Sequence, residues 1–122
     1  EELINQTIES VLPEKEIERI VQIFRELRSG ITTDGKQKIK PTENALSTAE
    51  AISTAQQSIN LARFFGNGVV SAREVAQALP GSIIKNPDKD GPAWEDYRRT
   101  IIAQRKEWTD LNRELTPDSE NA

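Results

Sequence analysis

Residues 30–36 spell G-x-x-x-x-G-K, all but the last position of a phosphate-binding loop, in which backbone amides and a lysine cradle phosphate oxygens. That last position should be Ser or Thr to hold magnesium, and Gln37 stands there. Such a loop also needs a buried strand before it and a helix N-terminus behind it, because helix-end amides supply the anion contacts. Here a helical pattern precedes and Pro41 follows soon after, so the segment is expected to bind no nucleotide. Residues 86–91, Asn-Pro-Asp-Lys-Asp-Gly, imitate the opening of an EF-hand calcium loop. Its first position should be Asp rather than Asn86, and the bidentate Glu of its twelfth position is replaced by Tyr97. A polar turn that caps a helix is the better reading.

The remaining chemistry is thin. Lys36, Lys38 and Lys40 alternate, which places them on one face of a strand and Ile39 on the other, more a charged edge than an anion site. Trp94 and Trp108 stand two heptads apart on one side of a helical pattern. Core packing is their first reading, with Trp94, Tyr97 and Trp108 as the candidates for gripping a partner. No paired carboxylates accompany a nucleophile, and Glu95 and Asp96 read as solvated. With Cys 0 and His 0, disulfides, thiolate catalysis and the commonest metal ligand and general base are all excluded. The site residues must therefore come from the way helices are arranged.

Those helices are legible. Ile17, Ile20, Val21, Phe24 and Leu27 recur at spacings of three and four over residues 13–28, with Pro13 and acids at the start, Arg25 and Arg28 near the end, and Gly30 as the stop. Leu3, Ile4, Ile8 and Val11 suggest a short helix before it. Ile31, Thr32 and Thr33 precede Asp34-Gly35, and Ile39 follows, which predicts a β-hairpin over residues 31–40. Ser47 with Glu50, and Ser71 with Glu74, have capping-box spacing and mark two more helix starts. The first runs to Gly66 with small residues Ala49, Ala51, Ala55 and Ala62 that allow close approach, and the second is expected to be interrupted at Pro80-Gly81. Trp94, Tyr97, Ile101, Trp108, Leu111 and Leu115 predict one long final helix starting at Pro92, with Gln104 as the polar exception in its seam.

Composition frames this pattern. The 122 residues suffice for one core, and 35% hydrophobic with 30% charged residues predicts a modest one with solvated helix faces. A formal charge of -4 gives no general attraction to nucleic acid or an anionic bilayer. No apolar run approaches a membrane span, so a cytoplasmic setting is expected with neither nucleic acid nor membrane as partner. Met is absent and the chain opens inside a helical pattern, so a fragment or processed product is expected.

The runs Phe24-Arg25-Glu26-Leu27-Arg28-Ser29-Gly30, Thr33-Asp34-Gly35 and Leu46-Ser47-Thr48-Ala49-Glu50-Ala51-Ile52 resemble the segment that follows the catalytic core in bacterial MoxR-like AAA+ ATPases of the von Willebrand factor A-associated type. Phe65-Gly66-Asn67-Gly68, Val75-Ala76, Lys85-Asn86-Pro87 and the stretch from Trp94 to Trp108 extend the resemblance over nearly the whole chain. It implies a C-terminal lid that closes over ATP and magnesium held by an upstream core, in a ring that remodels other proteins. The implied partners are that core, neighbouring subunits and a von Willebrand factor A domain protein. Many related lids start this helix with Ser-Pro-Arg, the Arg facing the terminal phosphate. Here Ser47 matches while Thr48 and Ala49 depart, so no guanidinium is available at that position. Ser47, Thr48 and Glu50 are the implied nucleotide-facing residues.

The expectation is a mainly α fold, a small bundle of four to five helices with one short β-hairpin, in a lid domain over residues 1–115 and a disordered tail over 116–122. It has no catalytic residue, metal site or cofactor of its own, although the whole protein would hydrolyse ATP. The rival is a non-enzymatic helical protein-protein interaction module gripping a partner helix along the last seam, and a weaker third is a calcium-responsive protein. Calorimetric titration with calcium is expected to give no binding tighter than about millimolar; a micromolar isotherm would overturn the capping reading of residues 86–91.

Overall fold

The computed structural model describes residues 11–40, 42 and 46–116. The helix expected over residues 2–11, apart from Val11, and the tail beyond Thr116 lie outside them. Among the described residues the elements are α1 (Glu14–Ser29), α2 (Thr48–Phe65), α3 (Ala72–Ile83), α4 (Pro87–Thr100) and α5 (Thr109–Leu115), with 3-10 turns Ile102–Gln104 and Lys106–Trp108 between α4 and α5.

α1 starts after Pro13 with Glu14 and Glu16 in its first turn, and ends where Gly30 takes a left-handed φ of 76° and donates its N–H to the Glu26 carbonyl at 2.9 Å. Its buried face is Glu16, Arg19, Ile20, Ile23, Phe24, Glu26 and Leu27, while Ile17 and Val21 stay 38% and 43% exposed. The apolar stripe is thus rotated from the predicted one toward Ile23. The helix carries apolar residues around too wide an arc to bury them all, and the buried arc is the one whose charged members, Arg19 and Glu26, find partners elsewhere in the chain.

Both capping boxes form: the Ser47 and Ser71 N–H groups donate to Glu50 and Glu74 at 2.7 and 2.8 Å. The inward face of α2 is small, with Thr54, Ser58 and Ala62 buried. The hydroxyls of Thr54 and Ser58 donate back to the carbonyls of Glu50 and Thr54 at 2.9 and 2.8 Å, so no polar atom is stranded as α2 lies against α3, its main neighbour. α3 in turn packs on α5. Pro80 does not end α3, which runs on to Ile83, because Leu79 and Ile83 are both fully buried and the packing outweighs the lost amide bond.

Three further expectations fail. The hairpin over residues 31–40 is a tight loop with a single bridge, Ile31 to Lys38, and the described residues contain no strand. The Asp-Gly turn itself is present, with Gly35 at φ 76°. However, Thr32 Oγ1 and the Lys36 N–H both donate to Asp34 Oδ1 at 2.6 and 2.9 Å, and Thr33 donates to Glu26, so side chains take the bonds a ladder would need. The final long helix is broken after Thr100. The break swings Gln104, the polar residue in the seam, out to solvent and leaves Ile101, Ile102, Trp108 and Leu111 inside. α4 also begins a turn earlier than predicted, at Pro87, with Pro92 inside it and Asn86 as its cap, accepting from the Asp88 N–H at 3.2 Å.

The core is continuous, joining Ile20, Ile23, Phe24 and Leu27 of α1 to Val75 and Leu79 of α3, Trp94 and Tyr97 of α4, and Leu111 of α5. Replacing Ile23, 0% exposed, with Ala is expected to cost about 2–5 kcal/mol in urea unfolding. The same change at Ile17 should cost less than about 1 kcal/mol. Equal losses would contradict the rotated stripe.

Candidate functional site

The most concentrated polar chemistry in the described residues is buried around Glu26, 1% exposed, on the inner face of α1. Tyr97 of α4 donates its hydroxyl to Glu26 Oε1 at 2.7 Å. Arg105, between the two 3-10 turns, places its guanidinium across both carboxylate oxygens, Nη1 to Oε1 at 2.8 Å and Nη2 to Oε2 at 2.5 Å. Thr33 of the loop adds its N–H to Oε2 at 2.8 Å. Burial alone would raise the Glu26 pKa, but the bonds from Arg105, Tyr97 and Thr33 outweigh it and hold the carboxyl below its ordinary 4.5. Burial and the bond to Glu26 push the Tyr97 hydroxyl far up, so it remains a donor. Arg105 also lies over the Trp108 ring at 4.4 Å, and Trp94 stacks on Tyr97 with centroids 6.2 Å apart.

A second cluster ties the ends of the domain. Arg19, 4% exposed, donates to Asp110 of α5 at 2.6 and 3.1 Å and to the Glu107 carbonyl at 2.9 Å, with Glu16 beside it at 3.3 Å. The Arg19 bonds hold the Asp110 carboxyl down at about 2, whereas burial raises Glu16 above its usual range.

Ser47, Thr48 and Glu50 are brought together at the start of α2, and the structure adds Lys85, whose Nζ donates to Glu50 across to the end of α3. That bond and those from Ser47 hold Glu50 ionised, with a pKa of about 2. The cation at this helix start is therefore Lys85, while residue 49 is Ala. An anion would meet an ionised carboxylate here, so the three residues do not by themselves make a phosphate site. The loop at residues 30–36 fits no phosphate either. Its Gly35, Lys36 and Gln37 N–H groups are already committed to the Thr32 carbonyl, Asp34 and Thr32 Oγ1.

Trp94, Tyr97 and Trp108 lie in the core at 3%, 0% and 4% exposure, so their rings are not on the surface. Within the calcium-like segment, Asp90 is buried and accepts from the Lys85 and Asn86 N–H groups at 3.0 and 2.9 Å. Glu26 and Arg105 escaped sequence reading because Glu26 sits beside Leu27 in an apolar stripe and Arg105 is 79 residues away. The signal available was the irregularity at Gln104.

The folded pKa values of Glu26 and Asp110 are lowered, so their contributions to stability are complete above the ordinary carboxylate values and drain as pH falls toward the folded ones. Glu16, raised, opposes them and returns part of the loss on protonation. Stability is expected to fall between pH 4.5 and about 2, with a shallower slope in Glu26→Gln. At neutral pH, Glu26→Gln should cost about 3–5 kcal/mol by leaving Arg105 without its charge partner, and Tyr97→Phe about 1–3 kcal/mol. Chemical denaturation across pH checks both, and equal pH slopes for the two proteins would overturn the assignment.

Compared with known proteins, residues 4–110 match the family model described as the YehL-like AAA+ ATPase C-terminal domain. No curated protein and no solved structure matches the chain. Since that match spans all of α1 to α4 and both 3-10 turns, the chain belongs to the YehL-like AAA+ ATPase C-terminal domain family.

Proposed function

We propose that this domain is the lid and inter-subunit contact of a MoxR-like AAA+ ATPase, closing over a nucleotide held by a catalytic core elsewhere in the whole protein. The observation that carries the reading is membership, over residues 4–110, in a family of AAA+ C-terminal domains. The buried bonds of Glu26 and Arg19 support it, because they tie α1 to the segment around residues 105–110 and let the helices move as one body. In the whole protein ATP would supply the phosphoryl group and magnesium would neutralise it. The part left to this chain is positional. The α2 start, with Ser47, Thr48 and Glu50, faces the nucleotide, held in place by the ion pair of Glu50 with Lys85 rather than offering a free cation. The ring so formed acts on partner proteins in a chaperone-like way, a von Willebrand factor A domain protein among them. The rival reading, a free module gripping a helix through its Trp residues, is disfavoured by the burial of Trp94 and Trp108.

With magnesium and ATP, the isolated chain is expected to release no phosphate above buffer, because phosphoryl transfer needs a cradle and a metal ligand that its loop does not fit. In the whole ATPase, Lys85→Ala should lower kcat on the order of tenfold. Turnover by the isolated chain, or an unchanged kcat in the Lys85 variant, would remove the corresponding part of the proposal.

A further inference from the structure

α1 keeps a second apolar edge that the core does not use. Ile17 and Val21, one turn apart, lie outside its buried arc and are 38% and 43% exposed. A recess lined by Leu12, Pro13, Glu14, Ile17 and Glu18 opens at the foot of this edge, and a second one continues past Ile17 and Val21 to Arg25. The groove therefore begins at the point where the chain enters α1.

That entry names what fills it. Pro13 is the N-cap of α1, so Leu12 precedes the cap and Ile17 is the fourth helical residue. These are the positions of a hydrophobic staple, which brings the incoming chain over the face of that fourth residue. The entry point is also fixed in place, because Leu12 is buried in the core and the Val11 carbonyl accepts the Val70 N–H at 2.7 Å. A residue before proline is turned away from helical geometry, so a helix in the preceding residues has to end by Val11 and reverse within Leu12 and Pro13. A two-residue connection of this kind joins antiparallel neighbours. Folding back about that turn sets Ile8 level with Ile17 and Ile4 level with Val21, since the members of each pair stand equally far from it. On each helix the two residues are four apart and drift by only roughly 40°, so both pairs face each other at once.

Charge points the same way. Residues 1–10 carry Glu1, Glu2 and Glu9 and no base. As a helix they span roughly 15 Å, against roughly 17 Å from Glu14 to Arg25, so Glu1 and Glu2 arrive at the far end of α1. The exposed Arg25 and Arg28 stand there and form no ion pair among the described residues. We propose that residues 1–10 dock as a helix, antiparallel, on the Ile17–Val21 edge of α1, with Ile8 against Ile17, Ile4 against Val21 and the first two acids beside Arg25. The covalent tether gives this segment an effective concentration on the order of millimolar at its own groove, which a separate partner would have to match. The inference does not depend on the lid reading. Two apolar pairs make a shallow contact, so the docked form is expected to exceed the undocked by about five- to tenfold, in keeping with the small loss expected for Ile17→Ala.

Methyl-labelled NMR of the 122-residue chain reads the register directly. Cross-relaxation peaks should join Ile8 to Ile17 and Ile4 to Val21, persist on dilution, and be absent between differently labelled copies. In hydrogen exchange, the amides of residues 5–10 should be slowed about five- to tenfold relative to an Ile17→Asp, Val21→Asp double variant, in which the amides of α3 keep their protection. Ile8→Asp, which leaves every residue of α1 unchanged, should speed the same amides equally. Absence of these peaks, peaks from Ile4 or Ile8 to Phe65 or Val69 instead, peaks between copies, or amides of residues 5–10 that exchange alike in all three proteins would each overturn the proposal.

Discussion

A carboxylate sealed away from water must be neutralised on every side, and Glu26 is the place where this chain meets that demand. Leaving an ion in a low-dielectric interior without partners costs several kcal/mol, so whatever segment holds its partners has to be brought to it. Arg105 is supplied by an extended residue between two 3-10 turns, Tyr97 by the inner face of α4, and Thr33 by the loop after α1. The helix break after Thr100, the collapse of the loop against α1 and the rotation of the α1 stripe are consistent consequences of that one requirement. Arg19 repeats the logic at the other end of α1, where it holds α5 and the turn before it.

Local features were legible wherever a local interaction decides them. Ser47 with Glu50 and Ser71 with Glu74 are three residues apart and form the predicted boxes, and Gly30 stops α1 with a left-handed turn. What could not be read were outcomes set by residues far apart in sequence. The β-branched residues flanking Asp34-Gly35 predict paired strands, but Thr33 is captured by Glu26 and only one bridge forms. A continuous apolar seam predicts a continuous final helix, but Arg105 has to reach Glu26 from 79 residues away. The Trp and Tyr residues carried both a core reading and a partner reading, and their burial places them in the core. Lys85, which completes the α2 start, gave no local signal because its partner Glu50 lies 35 residues upstream.

The two kinds of surface in the domain have a common origin. Buried charge and aromatic packing concentrate where α1, α4 and the 3-10 turns meet. α2 packs mainly on α3 and also against α1, through small and apolar residues rather than through that charged network. Its inner face is held by small residues and returned hydroxyl bonds, which frees its outer face to carry residues that packing does not require. Among the described residues no helix is long and apolar enough to cross a membrane, so Phe64 and Phe65 are not part of a spanning segment.

The central claim is that the Glu26 and Arg105 charges act as one unit that organises the fold. A double-mutant cycle between Glu26→Gln and Arg105→Gln, read by urea unfolding at neutral pH, isolates their interaction from everything else each side chain touches. A coupling energy of about 2 kcal/mol or more is the predicted result. Additive losses, with coupling below about 0.5 kcal/mol, would contradict the account.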